Sequence, residues 1–387
     1  MQRISVIDFT RGLVMIIMAL DHTRDLLHVS SLTQDPTNLA STTPLLFFTR
    51  WITHLCAPIF VFLSGTSAYL SLQRNHNVAE GRKFLLKRGL WLVLLEFTVI
   101  SFGIWFDLKF RTLFFQVIAA IGFSFMILAL LLKLSPRTIG IIGLIIVLGH
   151  NLFPLIPLGT GSLLAQAVSA LFIPNIFQVT PQLTFFIGYP LIPWLGIMLI
   201  GYAVGPLFAL PIAQRKRFFL RAGLATLVFF ALLRFSNVYG DPRGWEMQKA
   251  DLFTFLSFIN TTKYPPSLLY SCMTLGILFL IIWLVDGIQN KVVQIINTYG
   301  KVPLFYYILH WYLLHLTLLA MVFLQGFHWE DLQFGTFQFG RPKQPSGVEL
   351  PIVYFIWLSV VVALYPLCHW YQNYKATHPE KTWLRYL

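Results

Sequence analysis

Charge is what this sequence has least of. Only 11% of its 387 residues are Asp, Glu, Lys or Arg, whereas soluble domains carry about 25% and need them to stay in solution. With 57% hydrophobic residues and a mean hydropathy of +0.70, the composition argues against a soluble fold and makes lipid the natural solvent. Cysteine is nearly absent. Cys56, Cys272 and Cys368 lie in or beside apolar runs without metal-type spacing, so neither a disulfide framework nor a metal site is expected. A haem pattern is lacking as well, because His310 and His315 are five apart and do not stack on one helix face. No cleavable signal peptide is apparent: the first apolar run follows Asp8 and Arg11, holds Asp21 and His22 near its far end, and reads as a retained span. The formal charge of +13 does not point to nucleic acid, since the Lys and Arg residues are scattered between apolar runs rather than gathered on one hydrophilic module.

Aromatic residues, by contrast, are abundant. They make up 16% of the chain, with 36 Phe and 11 Trp, and suit positions facing acyl chains at mid-membrane and headgroups at its edges. A hydrocarbon core about 30 Å thick needs roughly 20 apolar residues per helix. That ruler selects about ten spans, near 7–25, 44–72, 85–106, 112–132, 138–156, 183–208, 217–236, 264–286, 301–324 and 350–372. The stretch 163–174 is too short to cross and reads as an interfacial or re-entrant helix. With the N-terminus inside, the inner segments hold about 17 Lys and Arg, Arg3, Arg74 and Arg385 among them, against about eight in the outer segments. The expected architecture is therefore an all-α polytopic transmembrane helix bundle with cytoplasmic N- and C-termini. No internal repeat or long hydrophilic gap divides it, so 1–387 reads as a single membrane domain. The outer loops near 237–263 and 325–349 are polar and aromatic, as caps over an outer-facing cavity would be.

An ionisable side chain inside a span is costly unless paired or hydrated, which makes each one a functional candidate. Asp21, His22, Arg24 and Asp25 fall at the outer end of the first span, and Arg50 and His54 in the first turns of the second. Tyr189, Lys263, Tyr264, His310 and His315 fall at similar depth on later spans. Arg50 and His54 are four apart and share a helical face. A His beside a carboxylate in a dehydrated pocket is equipped for general-base catalysis. The blander readings are structural: intramembrane His150 or His310 as an interhelical hydrogen-bond group, and Asp8 with Arg11 as a pair capping the inner turn. Glu96 has no evident partner in sequence.

Several blocks together carry a family resemblance. R-I-S-V-I-D-F-T-R-G-L-V-M-I-I-M-A-L-D-H at 3–22, T-H-L-C-A-P-I-F-V-F-L-S-G at 53–65, Y-P-L-I-P-W-L-G at 189–196, K-Y-P-P-S-L-L at 263–269 and G-K-V-P-L-F-Y-Y-I-L-H at 300–310 resemble bacterial membrane proteins related to the catalytic domain of heparan-alpha-glucosaminide N-acetyltransferase. The most specific parts are D-x-x-R-G at Asp8, Arg11 and Gly12 and P-x-F-V-F-x-x-G from Pro58 to Gly65. The resemblance implies transmembrane acylation, with acetyl-CoA or another acyl-CoA used from the cytoplasmic side and an extracytoplasmic sugar or glycolipid as acceptor. It does not carry over the catalytic His. Aligned on Pro58, the family's second-helix Asp position holds His54, and its catalytic His position holds Pro44. Either His54 or His22 then takes the base role, or this branch does different chemistry.

The expected site follows from both readings. His54 is the candidate base, Asp21 or His22 its partner, and Arg50 or Lys263 the electrostatic support for a developing oxyanion. Lys263, Tyr264, Tyr189 and His315 are candidate substrate contacts. Arg11 and Asp8 are candidates for the cytoplasmic acyl-CoA, and Arg82, Lys83, Lys87 and Arg88 could meet CoA phosphates or serve as ordinary topology signals. Expected partners are membrane lipid and the glycan acceptor; a homodimer stays open, and the expected location is the plasma membrane. The alternative from another class is a transporter or flippase for a small or lipid-linked molecule, using the same charges to bind substrate and relay protons.

Overall fold

The computed structural model describes residues 4–75, 77–156 and 162–386. Arg3 and the side chains of Arg74 and Arg385, which enter the orientation count, lie outside the described residues. Hydrocarbon offers backbone N–H and C=O groups no partner but each other, so the apolar runs become helices. The chain forms α1 (Ser5–Leu27), α2 (Pro44–Ile52), α3 (Cys56–Asn75), α4 (Val78–Leu95) and α5 (Ser101–Trp105). After β1 (Thr112–Phe115) come α6 (Val117–Leu131), α7 (Pro136–Gly149) and α8 (Leu163–Ala170). The hairpin β2 (Asn175–Thr180) and β3 (Leu183–Ile187) leads into α9 (Leu191–Val204), α10 (Ile212–Ser236), α11 (Asp251–Ile259) and α12 (Leu268–Val285). Then α13 (Lys291–Lys301), α14 (Pro303–Leu324), the short pair β4 (Leu332–Gln333) and β5 (Arg341–Pro342), and α15 (Leu350–Thr377) complete it.

The protein is thus an all-α polytopic bundle, with seven helical segments among the described residues long and apolar enough to cross a membrane. The first span, α1, is long but carries charge near both ends, and α6 is a shorter apolar helix. Helix starts are written in the sequence: Thr43, Ser135 and Ser267 each accept a hydrogen bond from a first-turn N–H, with Pro44 and Pro136 just inside.

Three expected spans differ in detail. Residues 112–115 and 183–187 are strands rather than the first turns of helices, and β1 runs parallel to β3 while β2 pairs antiparallel to it. Their Phe- and Thr-rich runs suit a pleated surface, and the sheet sets the starts of α6 and α9 side by side. The third, 44–72, is broken by a tight 3-10 turn at Thr53–Leu55. Of the short interfacial stretch 163–174, α8 occupies the first eight residues.

Glycines decide how closely the helices approach. Five tightly packed pairs each place one glycine against the partner: Gly12 with Gly300, Gly65 with Gly201, Gly89 with Gly122, Gly143 with Gly196, and Gly223 with Gly276 sit on α1/α13, α3/α9, α4/α6, α7/α9 and α10/α12. A Cβ on Gly12 would overlap the carbonyl oxygen of Ile296, and one on Gly65 the carbonyl oxygen of Met198. Small residues at crossings allow the backbone contact that holds helices together where no hydrophobic force separates protein from lipid. The glycines of both family motifs therefore have a packing reason. At the C-terminal end of α10, Arg234 donates to the carbonyl oxygens of Phe258, Arg243, Ser257 and Asn260 at 2.9, 2.6, 3.0 and 2.9 Å, fixing the 243–260 loop.

Just beyond α5, Asp107 is buried. Burial works to raise its pKa, but Arg111 Nε and Nη2 donate to it at 2.8 and 3.0 Å, and the N–H groups of Lys109 and Arg111 add two bonds, so the carboxyl is held below the usual carboxylate range. A carboxyl that binds its proton less readily when folded contributes stability above its unfolded value of about 3.9 and loses it as pH falls through the folded value. Asp107→Asn is therefore expected to lower the melting temperature near neutral pH, with the gap from wild type closing as pH is taken toward about 3. In the same thermal assay Gly12→Leu is expected to cost most of the folded yield, because α13 cannot move away without breaking its contacts along α1.

Candidate active site

Asp21 lies near the C-terminal end of α1 and collects cations from three parts of the chain. Arg50 Nη1, from α2, donates to both of its oxygens at 2.8 and 2.6 Å. Arg24, one turn along α1, donates at 2.9 Å, and Lys263 Nζ stands 3.8 Å from Oδ2. Arg24 also bonds Asp25 at 2.5 Å. The side chains of Arg24, Lys263, Asp21 and Arg50 are 4%, 7%, 9% and 14% exposed, while that of Asp25 is 47% exposed. The cluster opens to solvent at Asp25 and holds three cations against two carboxylates. That surplus favours any negative charge formed beside it.

His22, next to Asp21, meets α14 while Lys263 and Arg50 still act on it electrostatically. Its Nδ1 is 2.7 Å from His310 Nε2 on α14, and its ring stacks on Trp311 with centroids 4.0 Å apart. The carbonyl oxygen of Tyr306 lies 3.2 Å from His310 Nδ1. A carbonyl oxygen only accepts, so His310 carries its proton on Nδ1 and presents a lone pair at Nε2. His22 must then donate from Nδ1, which leaves a lone pair on its own Nε2. Among the described residues no hydrogen bond reaches that nitrogen, and His22 is only partly buried.

His54 occupies the break between α2 and α3. The residue four ahead, Pro58, has no N–H to bond the His54 carbonyl, and the hydroxyl of Tyr270 takes that oxygen at 2.7 Å instead. The ring of His54 packs edge-on to Tyr270 with centroids 5.5 Å apart. The 3-10 turn disrupts the single helical face expected for Arg50 and His54: Arg50 reaches Asp21, and neither Asp21 nor His22 is hydrogen-bonded to His54. Its Nδ1 is buried and without a partner, while the charges of Arg50, Lys263, Asp21 and Arg24 all act on it.

The loop before α12 delivers Lys263 and Tyr264. It is held by Asp241, which accepts from Thr262 N, Thr262 Oγ1 and Ser267 Oγ at 2.8, 2.9 and 2.6 Å, and by His150, whose Nε2 is 2.8 Å from the Pro266 carbonyl oxygen. Lys263 Nζ sits 5.1 Å from the Tyr264 ring centroid. The hydroxyls of Tyr264 and Tyr189 are 3.3 Å apart, so Tyr189 joins the same neighbourhood. His315 does not. Its two nitrogens face the carbonyl oxygens of Gly103 and Phe339 at 3.2 and 3.0 Å, and its ring stacks on Phe106. Asp8 and Arg11 are 3.5 Å apart at the other end of α1, about 20 Å from Asp21 by helical rise. There Arg11 also donates to Gly300 O and Ser67 Oγ at 3.1 and 2.7 Å, tying α1 to α13 and α3.

Two roles were not visible in sequence. His310 is the partner of His22, and nothing in local spacing joins residues 288 positions apart. Glu96 lies in a π-helical segment, Glu96–Ile100, and its Oε2 accepts the Ala119 N–H at 2.9 Å. It caps α6 from a neighbouring helix because Gln116, at the cap position, makes no side-chain cap; the Gln116 amide oxygen instead accepts the Tyr307 hydroxyl at 2.6 Å. The wide turn of a π segment re-aims a side chain in this way.

These features define a multi-pass membrane protein with a polar, titratable site built at one end of a helix bundle. The sequence pattern described as heparan-alpha-glucosaminide N-acetyltransferase, catalytic, matches residues 3–235. More than half of the chain is covered, and the protein belongs to this family, whose membership supports a function of the membrane acyltransferase type. No curated protein matches the chain. Lys263, Tyr264 and His310 lie beyond the matched segment yet contact Asp21, Tyr189 and His22 within it.

Removing one member of a buried charge cluster costs about 3–5 kcal/mol when it strands its partners. Asp21→Asn strands Arg50 and Lys263 and leaves Arg24 with Asp25 alone, whereas Lys263→Met relieves the surplus. Thermal unfolding in detergent should show Asp21→Asn as strongly destabilising and Lys263→Met as much less so; equal losses would contradict a cluster with one cation to spare.

Proposed function

We propose that the protein is a plasma-membrane acyltransferase that moves an acetyl or other acyl group from cytoplasmic acyl-CoA to an amino or hydroxyl group of an extracytoplasmic sugar or glycolipid. The observation that carries this reading is the His22–His310 pair, which leaves His22 Nε2 with a free lone pair beside a cluster with one surplus cation. In this scheme His22 Nε2 takes the proton from the acceptor as its nitrogen or oxygen attacks the thioester carbonyl. The oxygen of the tetrahedral intermediate is stabilised by Lys263 and Arg50. The carbon–sulfur bond then breaks, the acyl group stays on the acceptor, and the thiolate leaves with the proton returned through His22. His310 fixes the tautomer, as the third member of a catalytic triad does. Tyr189 and Tyr264 flank the acceptor, while His54 packs against Tyr270. Family membership supports the reaction class. In this scheme the end of α1 that holds Asp8 and Arg11 is the cytoplasmic one, from which acyl-CoA comes.

The test is acyl transfer from radiolabelled acetyl-CoA to a panel of amino sugars and lipid-linked sugars by the purified protein. His22→Ala is expected to lower kcat by about 10²–10⁴-fold, the usual share of a general base, with the fold intact. His310→Gln, which offers no imidazole, should lower kcat less and shift its pH profile. A His54→Ala loss as large as that of His22→Ala would move the base to His54. A wild type inert toward acyl-CoA but active in uptake by vesicles would replace the enzyme with a transporter.

A further inference from the structure

A second concentration of charge lies far from Asp21, at the start of α4 and the end of α6. From the His54 turn, the 20 residues of α3 lead away from the Asp21 cluster by about 30 Å of helical rise, and α4 starts at that far end. It packs against α6 at Gly89 and Gly122, where a Cβ on Gly122 would come within 2.7 Å of the Gly89 carbonyl oxygen. Past that crossing the side chains lengthen, and a cavity of about 590 Å³ opens between the two helices. Arg82, Lys83, Lys87 and Lys133 line it, with Leu86 and Leu130 on its apolar wall. All four cations are exposed, and among the described residues no acidic side chain lines the cavity.

Four like charges around one opening repel each other and concentrate anions. Two anionic sources have the right chemistry, the phosphates of a soluble cosubstrate and those of a lipid headgroup. The surroundings favour lipid. Leu90 and Leu94, further along α4, are 54% and 51% exposed, and Leu130 is 60% exposed, so apolar side chains next to the cavity face acyl chains. The cations then stand at headgroup level above an apolar wall. The excess of Lys and Arg assigns this side to the cytoplasmic leaflet, where anionic lipids concentrate.

We propose that the cavity between α4 and α6 binds the headgroup of an anionic phospholipid, its phosphate held by Arg82, Lys83, Lys87 and Lys133 and its acyl chains lying along Leu86 and Leu130. This is independent of the acyl-transfer reading. It also gives these cations a ligand other than CoA.

Full-length protein in detergent is mixed with cardiolipin, with phosphatidylglycerol or with phosphatidylcholine, and retained lipid is read by native mass spectrometry alongside the melting temperature. The anionic lipids should be retained at least about tenfold over phosphatidylcholine and should raise the melting temperature. The combined Arg82→Gln, Lys83→Gln, Lys87→Gln and Lys133→Gln variant should lose both effects. Lys83→Arg, Lys87→Arg and Lys133→Arg together should keep them, as should Arg217→Gln with Arg221→Gln on α10. Should the quadruple variant fail to fold, Lys133→Glu alone is expected to cut retention several-fold. No preference for anionic lipid in the wild type overturns the proposal. So does an equal loss in the α10 variant, which would mean diffuse charge, or displacement of the lipid by acetyl-CoA at these four residues, which would return them to the cosubstrate.

Discussion

Everything at the end of the bundle where α1 finishes depends on one buried carboxylate. Arg24, Arg50 and Lys263 come from different parts of the chain, and burying their charges without a counter-charge would be costly. Asp21 supplies it, bonding the two guanidinium groups directly and holding the lysine at 3.8 Å. In doing so it draws α2 and the loop before α12 onto α1. The cost of leaving any of these charges alone fixes their arrangement in addition to the close helix packing around them.

The neighbouring His22 profits from that rigidity. Adjacent residues on a helix cannot share a face, so with Asp21 committed to cations His22 is turned toward α14, where His310 and Trp311 receive it. A chain of direct hydrogen bonds from the Tyr306 carbonyl through both imidazoles fixes each tautomer without any carboxylate contact. The pairing of base and orienting group is thus His with His, and the acidic residue acts on the surrounding cations instead.

Several polar residues inside the bundle serve the scaffold. His150 and His315 each lie between two backbone carbonyls and donate to one of them, Glu96 caps a foreign helix, and Arg11 ties three helices near the N-terminal end of α1. Where hydrocarbon excludes water, every break in a helix or turn of a loop frees backbone groups that need a partner. The Pro58 break and its Tyr270 hydroxyl are one instance.

By itself the sequence determined the solvent, the helical class and the membership of Asp21, Arg50, Lys263, Tyr264 and Tyr189 in one polar zone, because hydropathy and charge act locally along the chain. It could not separate strand from helix at 112–115 and 183–187, where short aromatic runs satisfy either period, nor foresee that one proline would break the face shared by Arg50 and His54. Only the tertiary structure decided which histidine pairs with which. His22 and His310 meet because α1 and α14 pack together, and that contact follows from how whole helices fit over distances no local pattern records.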